Sequence, residues 1–293
     1  MKFEGSYVAL VTPFDSEGRI DEGAYRDLIR RQIRAGTKGL VPCGSTGEAA
    51  TLTHEEFRRA LEIALAESRG DVPVMAGVAS NATWKAVELA REAESLGADA
   101  LLVLAPYYNK PTPEGLFQHF RAVARGTRLP VMLYNIPSRC GVNVAPATIA
   151  RLAKACPNVV AVKDAAGNLD QTSETLALCG SKFTVMSGDD SLTIPMMSVG
   201  ARGVVSVVAN VAPKETQALC DAHLKGDLKK AAALHLELFP LVKSLFIETN
   251  PIPVKAALGL MGLCRPEPRL PLTPLSAAAR PALKKALKNF GLI

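Results

Sequence analysis

The residue with the clearest potential for covalent chemistry is Lys163, which comes directly after the apolar run at 159–162. A run without alternating polar residues is typical of a strand buried on both faces, so this lysine is expected to leave a central strand. Apolar surroundings disfavour the ammonium form of a lysine, and a neutral amine can attack a carbonyl group to form a Schiff base. An ion pair with the adjacent Asp164 is the alternative role, and the strand alone leaves both open.

A second candidate is the loop Gly-Ser-Thr-Gly-Glu at residues 44–48, which places the hydroxyls of Ser45 and Thr46 beside free backbone N–H groups. Tight loops of this kind in front of a helix suit a carboxylate or a phosphate. The loop has neither the lysine of a P-loop nor a full GxGxxG pattern, so nucleotide binding is not indicated. A plain turn rich in small residues is the alternative interpretation of the loop by itself.

Other polar side chains could assist such chemistry. Tyr108 and Tyr134 could relay protons if another hydroxyl lies within hydrogen-bond reach, although most tyrosines at strand ends only pack. Arg139 could hold a carboxylate with its forked guanidinium, or lie on the surface. His54 and His119 are predicted on helices, without a partner at ligand spacing, and are interpreted as structural or surface residues.

The elements that must position these residues form a repeating pattern of strand and helix. Amphipathic helical stretches separate eight apolar runs, and each unit has roughly 25 residues, which favours a (β/α)8 TIM barrel over a doubly wound sheet. The runs are 7–12, 39–44, 72–78, 100–106, 130–136, 159–165, 183–188 and 203–210. The predicted organisation is a catalytic barrel at 1–225 and a C-terminal helical region at 226–293.

Barrel active sites lie at the carboxyl ends of the strands, so the polar residues that end these runs are expected to converge. They are Thr12, Ser45, Thr46, Glu48, Tyr107, Tyr108, Asn109, Tyr134, Asn135, Arg139, Lys163, Asp164, Ser187, Asp189, Asp190 and Ser206. The set is rich in hydroxyl groups and contains no histidine.

Composition excludes several other classes of protein. The chain has 293 residues, 48% of them hydrophobic and 21% charged, which rules out intrinsic disorder, a coiled coil and a collagen-like repeat. A thinly spread net charge of +6 and 5% aromatic residues do not indicate nucleic-acid binding. No apolar run approaches the roughly 18 residues that a membrane span needs. Six scattered cysteines and no export signal predict reduced thiols in the cytoplasm.

With these residues placed, the sequence resembles the dihydrodipicolinate synthase family, within the wider group of N-acetylneuraminate-lyase-like barrels. The segments that carry the resemblance are ALVTPF at 9–14, GSTGE at 44–48, PYYNKP at 106–111, YNIPSR at 134–139, VKDA at 162–165, SGDD at 187–190, NPIPVK at 250–255 and RLPLTP at 269–274. The loop at 44–48 and the lysine strand mark the wider superfamily. The two tyrosines at 107–108, the arginine after Tyr134 and the segment at 250–255 together point to the synthases.

The resemblance implies condensation of pyruvate with L-aspartate-4-semialdehyde to give 4-hydroxy-tetrahydrodipicolinate, the branch step of lysine and diaminopimelate synthesis. Lys163 would form an imine with the pyruvate ketone, and the derived enamine would attack the aldehyde. No metal or organic cofactor is expected, because the lysine itself supplies the electron sink.

The resemblance also assigns roles to the remaining candidates. Ser45, Tyr108 and Tyr134 would form the proton relay, with Tyr108 reaching across from a neighbouring subunit, which implies a homo-oligomer, either a tetramer or a dimer. The substrate-binding positions would be Thr46, Gly47, Arg139, Gly188 and Val205. Of these, Arg139 would anchor the carboxylate of the semialdehyde, and the other four would surround pyruvate.

Two departures from the family pattern leave alternatives open. Ser45 stands where the synthases usually have threonine, a variant shared with the lyase relatives, and Asp164 replaces the usual glutamate. One alternative keeps the imine but cleaves N-acetylneuraminate or another 2-oxo acid. The other is a barrel without catalytic activity that senses a small carboxylate.

The lysine-feedback site of the family gives a first testable prediction. Asn81, Tyr107 and His54 match the residues that lysine-inhibited members use at this site. Ala49, Phe57 and Lys85 instead replace residues that are polar in those members. Lys85 stands where a carboxylate would receive the ammonium of the effector, and like charges repel. We expect weak or absent inhibition when L-lysine is titrated into the synthase assay. Strong inhibition at sub-millimolar lysine would contradict this.

Overall fold

The computed structural model describes residues 3–293 and contains one parallel sheet. Its eight strands are β1 Gly5–Ala9, β2 Gly39–Val41, β3 Met75–Val78, β4 Ala100–Leu104, β5 Val131–Asn135, β6 Val159–Asp164, β7 Thr184–Ser187 and β8 Gly203–Ser206. Hydrogen bonding runs in the order β2-β1-β8-β7-β6-β5-β4-β3. A parallel bridge between Leu40 and Val74 brings the two ends of this order together. The predicted (β/α)8 TIM barrel is confirmed.

Helices follow the strands and surround the barrel. They are α1 Glu22–Arg34, α2 His54–Ser68, α3 Thr83–Leu96, α4 Pro113–Arg125, α5 Pro137–Cys140, α6 Pro146–Ala155, α7 Leu169–Cys179, α8 Thr193–Ser198 and α9 Pro213–Leu224, then α10 Leu228–Ser244, α11 Ile252–Leu260 and α12 Arg280–Asn289. Local signals explain several of their ends. A capping box of Thr53 and Glu56 opens α2, and Gly97 ends α3 in the left-handed conformation.

The strands are shorter than the apolar runs that predict them. The last run extends to residue 210, but β8 ends at Ser206 and Val208–Asn210 forms a single turn of 3-10 helix. The Asn210 side chain causes the difference, because its Nδ2 donates to the carbonyls of Ala9 and Val207. Apolar character alone marks burial and does not separate a strand from such a turn.

Side chains alternate between two cores along each strand. Met132 and Tyr134 of β5 lie in the barrel interior, whereas Val131 and Leu133 pack outward against the helices. In β6, Ala161 likewise lies in the interior cluster. This period of two decides which residue at a strand end faces the barrel axis.

The C-terminal helices pack directly on the barrel. Leu238 and Val242 of α10 and Leu283 and Leu287 of α12 share one buried cluster with Val204 of β8. The proposed boundary at residue 225 falls in the turn between α9 and α10. Within residues 3–293, no helix has both the length and the apolar character that crossing a membrane would need.

Candidate active site

Lys163 and Tyr134 form the centre of the candidate site. They are register partners on the neighbouring strands β6 and β5, and both side chains are buried, Lys163 with 4% of its surface exposed. The Lys163 Nζ lies 4.1 Å from the centroid of the Tyr134 ring. The ring therefore packs beside the amine, which places a phenol next to the predicted nucleophile.

Asp164 does not pair with this amine. Its carboxylate accepts hydrogen bonds from the Ala166 backbone N–H at 3.0 Å and the Thr172 hydroxyl at 3.2 Å, with Asn135 Nδ2 at 3.4 Å. Consecutive residues of a strand point to opposite faces, so Asp164 faces the helices when Lys163 faces the interior. Burial raises the pKa of Asp164, against the lowering effect of these hydrogen bonds. The ion pair considered from the sequence is not formed.

Gly188 leaves the space that the Lys163 side chain occupies. A Cβ at position 188 would lie 3.1 Å from both Cγ and Cε of Lys163 and 2.7 Å from the Ala165 Cβ. The Gly188 N–H donates to the Asp164 carbonyl at 2.7 Å, which holds this close approach. Val205 of β8 is buried in the interior cluster on the same wall. Gly188 thus lies beside the lysine, and Val205 belongs to the same interior of the barrel.

The loop at 44–48 is closed by its own backbone and anchored to the segment that follows β1. The Gly47 N–H donates to the Gly44 carbonyl at 3.0 Å, and the Glu48 N–H donates to the Ser45 carbonyl at 3.2 Å. The Thr12 hydroxyl donates to the Gly47 carbonyl at 2.8 Å. Glu48 has a φ of 56°, a left-handed conformation that turns the chain sharply after the loop.

A buried ion pair holds this loop to the C-terminal helices. The Lys255 Nζ of α11 lies 2.6 Å from Glu48 Oε1 and donates to the Thr12 carbonyl at 3.0 Å, and both side chains are almost fully buried. The Arg269 N–H donates to Glu48 Oε2 at 2.8 Å. Burial lowers the pKa of Lys255, and the Glu48 carboxylate opposes that effect. Sequence reasoning missed this pair, because 207 residues separate the partners.

Asn250 connects two of the predicted substrate-binding residues. Its Nδ2 donates to the Thr46 hydroxyl at 2.9 Å, and its backbone carbonyl accepts from Arg139 Nη2 at 2.7 Å. The sequence offered Asn250 only as part of the segment at 250–255, with no role of its own. Nothing in the spacing of these three residues could have shown the contact.

Two cavities open above the barrel, and Arg139 and Asn250 line both. The loop cavity, of about 310 Å³, is also lined by Ser45, Glu48, Ala49, Ala50, Thr51, Ala79, Leu104, Tyr107, Cys140, Pro251, Pro271 and Leu272. The helix cavity, of about 470 Å³, is also lined by Ile136, Ser138, Ala165, Gly188, Asp189, Ser191, Val242, Lys243, Phe246, Glu248 and Thr249. Arg139 therefore borders both Ser45, in the loop cavity, and Gly188, in the helix cavity.

Tyr108 lies apart from both cavities. It is 86% exposed and has a φ of 74°, a left-handed conformation that turns this tyrosine away from the path of the preceding strand. Its N–H donates to the Cys140 carbonyl at 3.3 Å. Within a single chain, Tyr108 does not join the other relay residues.

The histidines and Cys140 do not add chemistry to the site. His119 is buried against the Thr83 hydroxyl, and burial lowers its pKa to about 4. His54 is exposed and lies 3.0 Å from Glu92. The Cys140 thiol lines the loop cavity, but burial raises its pKa to about 11, so it stays protonated near neutral pH. No group of three or more His, Cys, Asp and Glu side chains suited to a metal ion occurs in residues 3–293.

Comparison with known proteins agrees with this geometry. The model of the dihydrodipicolinate synthetase family matches residues 2–290. The chain belongs to the dihydrodipicolinate synthetase family. A relative from Pelobacter propionicus, named 4-hydroxy-tetrahydrodipicolinate synthase, is 52% identical over 99% of this chain and 100% of its own length.

Solved structures of the dihydrodipicolinate synthetase family share the fold. The dihydrodipicolinate synthase of Aquifex aeolicus is 46% identical with a TM-score of 0.97, and 99% of each chain is covered. That of Acinetobacter baumannii, described as complexed with pyruvate, is 42% identical with a TM-score of 0.97 and covers 100% of each chain. The chain is therefore a lyase of lysine and diaminopimelate biosynthesis, and N-acetylneuraminate cleavage is not favoured.

The ion pair between Glu48 and Lys255 leads to a prediction about stability. Lys255→Met keeps the apolar stem and removes the ammonium, so the Glu48 carboxylate stays buried without its partner. We expect the free energy of unfolding in urea to fall by about 3–5 kcal/mol.

The double variant Glu48→Gln/Lys255→Met removes both charges and should recover part of that loss. Lys182→Met, at an exposed position, is the matched control and should leave the unfolding free energy unchanged. A Lys255→Met protein as stable as this control would show that the pair does not support the loop.

Proposed function

We propose that the chain condenses pyruvate with L-aspartate-4-semialdehyde through a Schiff base on Lys163. The observation that carries the proposal is the buried, interior position of this amine beside Tyr134, with no carboxylate partner from Asp164. A lysine amine can attack a carbonyl carbon as a nucleophile, and no carboxylate from Asp164 occupies this one. No cofactor takes part in the proposed reaction.

The proposed steps follow from the chemistry of an imine. The Lys163 amine adds to the pyruvate ketone, and loss of water gives a protonated imine. This cation withdraws electrons from the adjacent methyl group, which loses a proton to give an enamine. The enamine carbon then attacks the aldehyde carbon, forming the new carbon–carbon bond while the aldehyde oxygen takes up a proton. Attack of the semialdehyde amino group on the imine carbon closes the ring and releases Lys163.

Proton movements in these steps require hydroxyl groups around the amine. Tyr134 packs against Lys163 and is assigned to proton transfer at the imine. Ser45 lines the loop cavity and is assigned the next position in the relay. Serine preserves the hydroxyl that the synthases usually take from threonine, with a less restricted χ1.

Two sites for carboxylates complete the proposal. Thr46 and the backbone of Gly47 are assigned to the pyruvate carboxylate, between Ser45 and the buried end of the loop. Arg139, which lines both cavities, is assigned to the carboxylate of the semialdehyde. Gly188 and Val205 bound the space in which the imine forms.

The proposed relay requires a homo-oligomer, a dimer or a tetramer. Tyr108 is largely exposed on an outward-turned backbone, so it can enter only the site of another copy. A second copy would also cover an aromatic surface that is otherwise open to water. A cytoplasmic location, inferred from the scattered cysteines, stays a prediction.

Trapping of the imine tests the proposed mechanism. Borohydride reduces an imine to a stable amine, so incubation with pyruvate and borohydride should add one pyruvate-derived group to Lys163. Peptide mass spectrometry after digestion should locate the adduct. Lys163→Ala should lose the adduct and lower kcat by at least roughly a thousandfold, because the covalent route is removed.

Lys182→Met is the control for this experiment, since it removes an exposed lysine just before the amino end of β7, whereas the candidate site lies at the carboxyl ends of the strands. It should keep both the adduct and full turnover. An unmodified Lys163 in the active wild-type enzyme, or full turnover by Lys163→Ala, would contradict the Schiff-base mechanism.

Subunit mixing tests the assignment of Tyr108. Tyr108→Phe and Lys163→Ala should each be nearly inactive alone. In a mixed dimer, one site combines both defects, while the other combines an intact Lys163 with an intact Tyr108 of the partner subunit. Random reassociation of equal amounts should therefore restore about a quarter of wild-type activity in an isologous dimer.

Native mass spectrometry of the same sample shows whether mixed oligomers have formed. If they have formed and activity stays at the level of the single variants, Tyr108 does not act across subunits. Full activity of Tyr108→Phe alone would remove it from the relay altogether.

A further inference from the structure

Asn250 contacts one residue from each of the two assigned carboxylate-binding sites, Thr46 and Arg139. It precedes α11 and lines both cavities, yet its side chain is buried. The side-chain Nδ2 contacts Thr46, and the backbone carbonyl contacts Arg139. These two contacts use different atoms of one residue, so they can be separated by substitution.

The contact with Thr46 determines where that hydroxyl can send its proton. A threonine hydroxyl has one proton to donate and lone pairs to accept with. Because Asn250 Nδ2 donates to Oγ1 at 2.9 Å, the Thr46 proton must point toward another acceptor. A bound carboxylate is such an acceptor, and hydrogen bonds to charged groups are the stronger kind.

The other polar atom of the Asn250 side chain has no protein partner. Its Oδ1 is buried and has no hydrogen-bond partner within residues 3–293. A buried carbonyl oxygen without a donor costs free energy, on the order of 1–3 kcal/mol. This cost at Oδ1 is acceptable if the Nδ2 of the same amide group is needed in a fixed direction.

The contact with Arg139 fixes a side chain that is otherwise exposed. Arg139 lies on the short helix α5, and its Nη2 donates to the Asn250 carbonyl at 2.7 Å. This hydrogen bond occupies one end of the guanidinium and leaves its other N–H groups directed at the cavities. Since a backbone carbonyl accepts the bond, a change of the Asn250 side chain leaves it in place.

We propose that Asn250 is a positioning residue for both substrates, directing the Thr46 hydroxyl to pyruvate through its amide and holding Arg139 through its backbone carbonyl. The inference rests on the proposed function, which assigns Thr46 and Arg139 to the two carboxylates. It adds a residue outside the barrel strands to the machinery that tells the substrates apart.

The first test separates the two substrates by kinetics. Asn250→Ala removes the amide donor, so the KM for pyruvate should rise about tenfold, the loss of one charge-assisted hydrogen bond. The KM for the semialdehyde should change less than about threefold, because the backbone contact to Arg139 persists. A residue needed only for folding would move both constants, or kcat, together.

Asn250→Asp keeps the size of the side chain, so it replaces Asn250→Ala in the kinetic test if the alanine variant does not fold. Its carboxylate would accept the Thr46 proton and repel the pyruvate carboxylate, so the KM for pyruvate should rise roughly a hundredfold. Asn168→Asp is the matched control, since aspartate caps α7 as well as asparagine does. It should leave both KM values unchanged.

A double-mutant cycle with Thr46→Val tests whether Asn250 acts through Thr46. Thr46→Val removes the hydroxyl with little change of shape, so Asn250→Ala should have no further effect on pyruvate in that background. Additive effects of the two substitutions would overturn the inference, as would an unchanged pyruvate KM in folded Asn250→Ala and Asn250→Asp.

The pyruvate concentration that half-saturates borohydride trapping at Lys163 measures the same affinity without the second substrate. It should rise in Asn250→Ala in parallel with KM. If the wild type is trapped normally and Asn250→Ala needs the same pyruvate concentration for half-saturation, the role of Asn250 is refuted and the proposed function still stands. Absence of trapping in the wild type would refute the proposed function, and the inference with it.

Discussion

The buried ion pair between Glu48 and Lys255 joins the second strand unit of the barrel to a helix beyond the eighth. Neither charge could stay buried without the other, because an unpaired ion in the interior costs several kcal/mol. Glu48 ends the loop that carries Ser45 and Thr46, and its backbone is turned sharply. The placement of the hydroxyls therefore depends on α11 as much as on the barrel.

The period of two along the strands explains the rest of the site. Lys163 and Tyr134 are register partners and share the interior, while their neighbours Asp164 and Asn135 share the outer face and bond to each other. The first pair is the one to which we assign the chemistry, and the second pair is held by hydrogen bonds among its own neighbours. A slip of register by one residue would exchange the two pairs, so the hydrophobic cores that fix the register also fix the chemistry.

Much of the barrel could be predicted because apolar runs and helix signals are local. The Thr53 capping box is an example, and so is Lys163 at the end of its strand. The ends of strands could not be predicted where a side chain such as Asn210 turns the chain. The contacts of Asn250 and Lys255 were beyond reach for another reason, since they join residues more than 100 positions apart, and single-sequence patterns carry no such information.

The dependence of the loop on distant partners has a consequence for synthesis on the ribosome. Domains begin to fold from the N-terminus as the chain emerges, so residues 44–48 are made early. Their partners Lys255 and Arg269 come out 207 and 221 positions after Glu48. Until those residues are made, the Glu48 carboxylate lacks both partners, and a chain that ends before them would lack them permanently. Completion of the polypeptide thus supplies the last contacts that hold the loop at 44–48 in place.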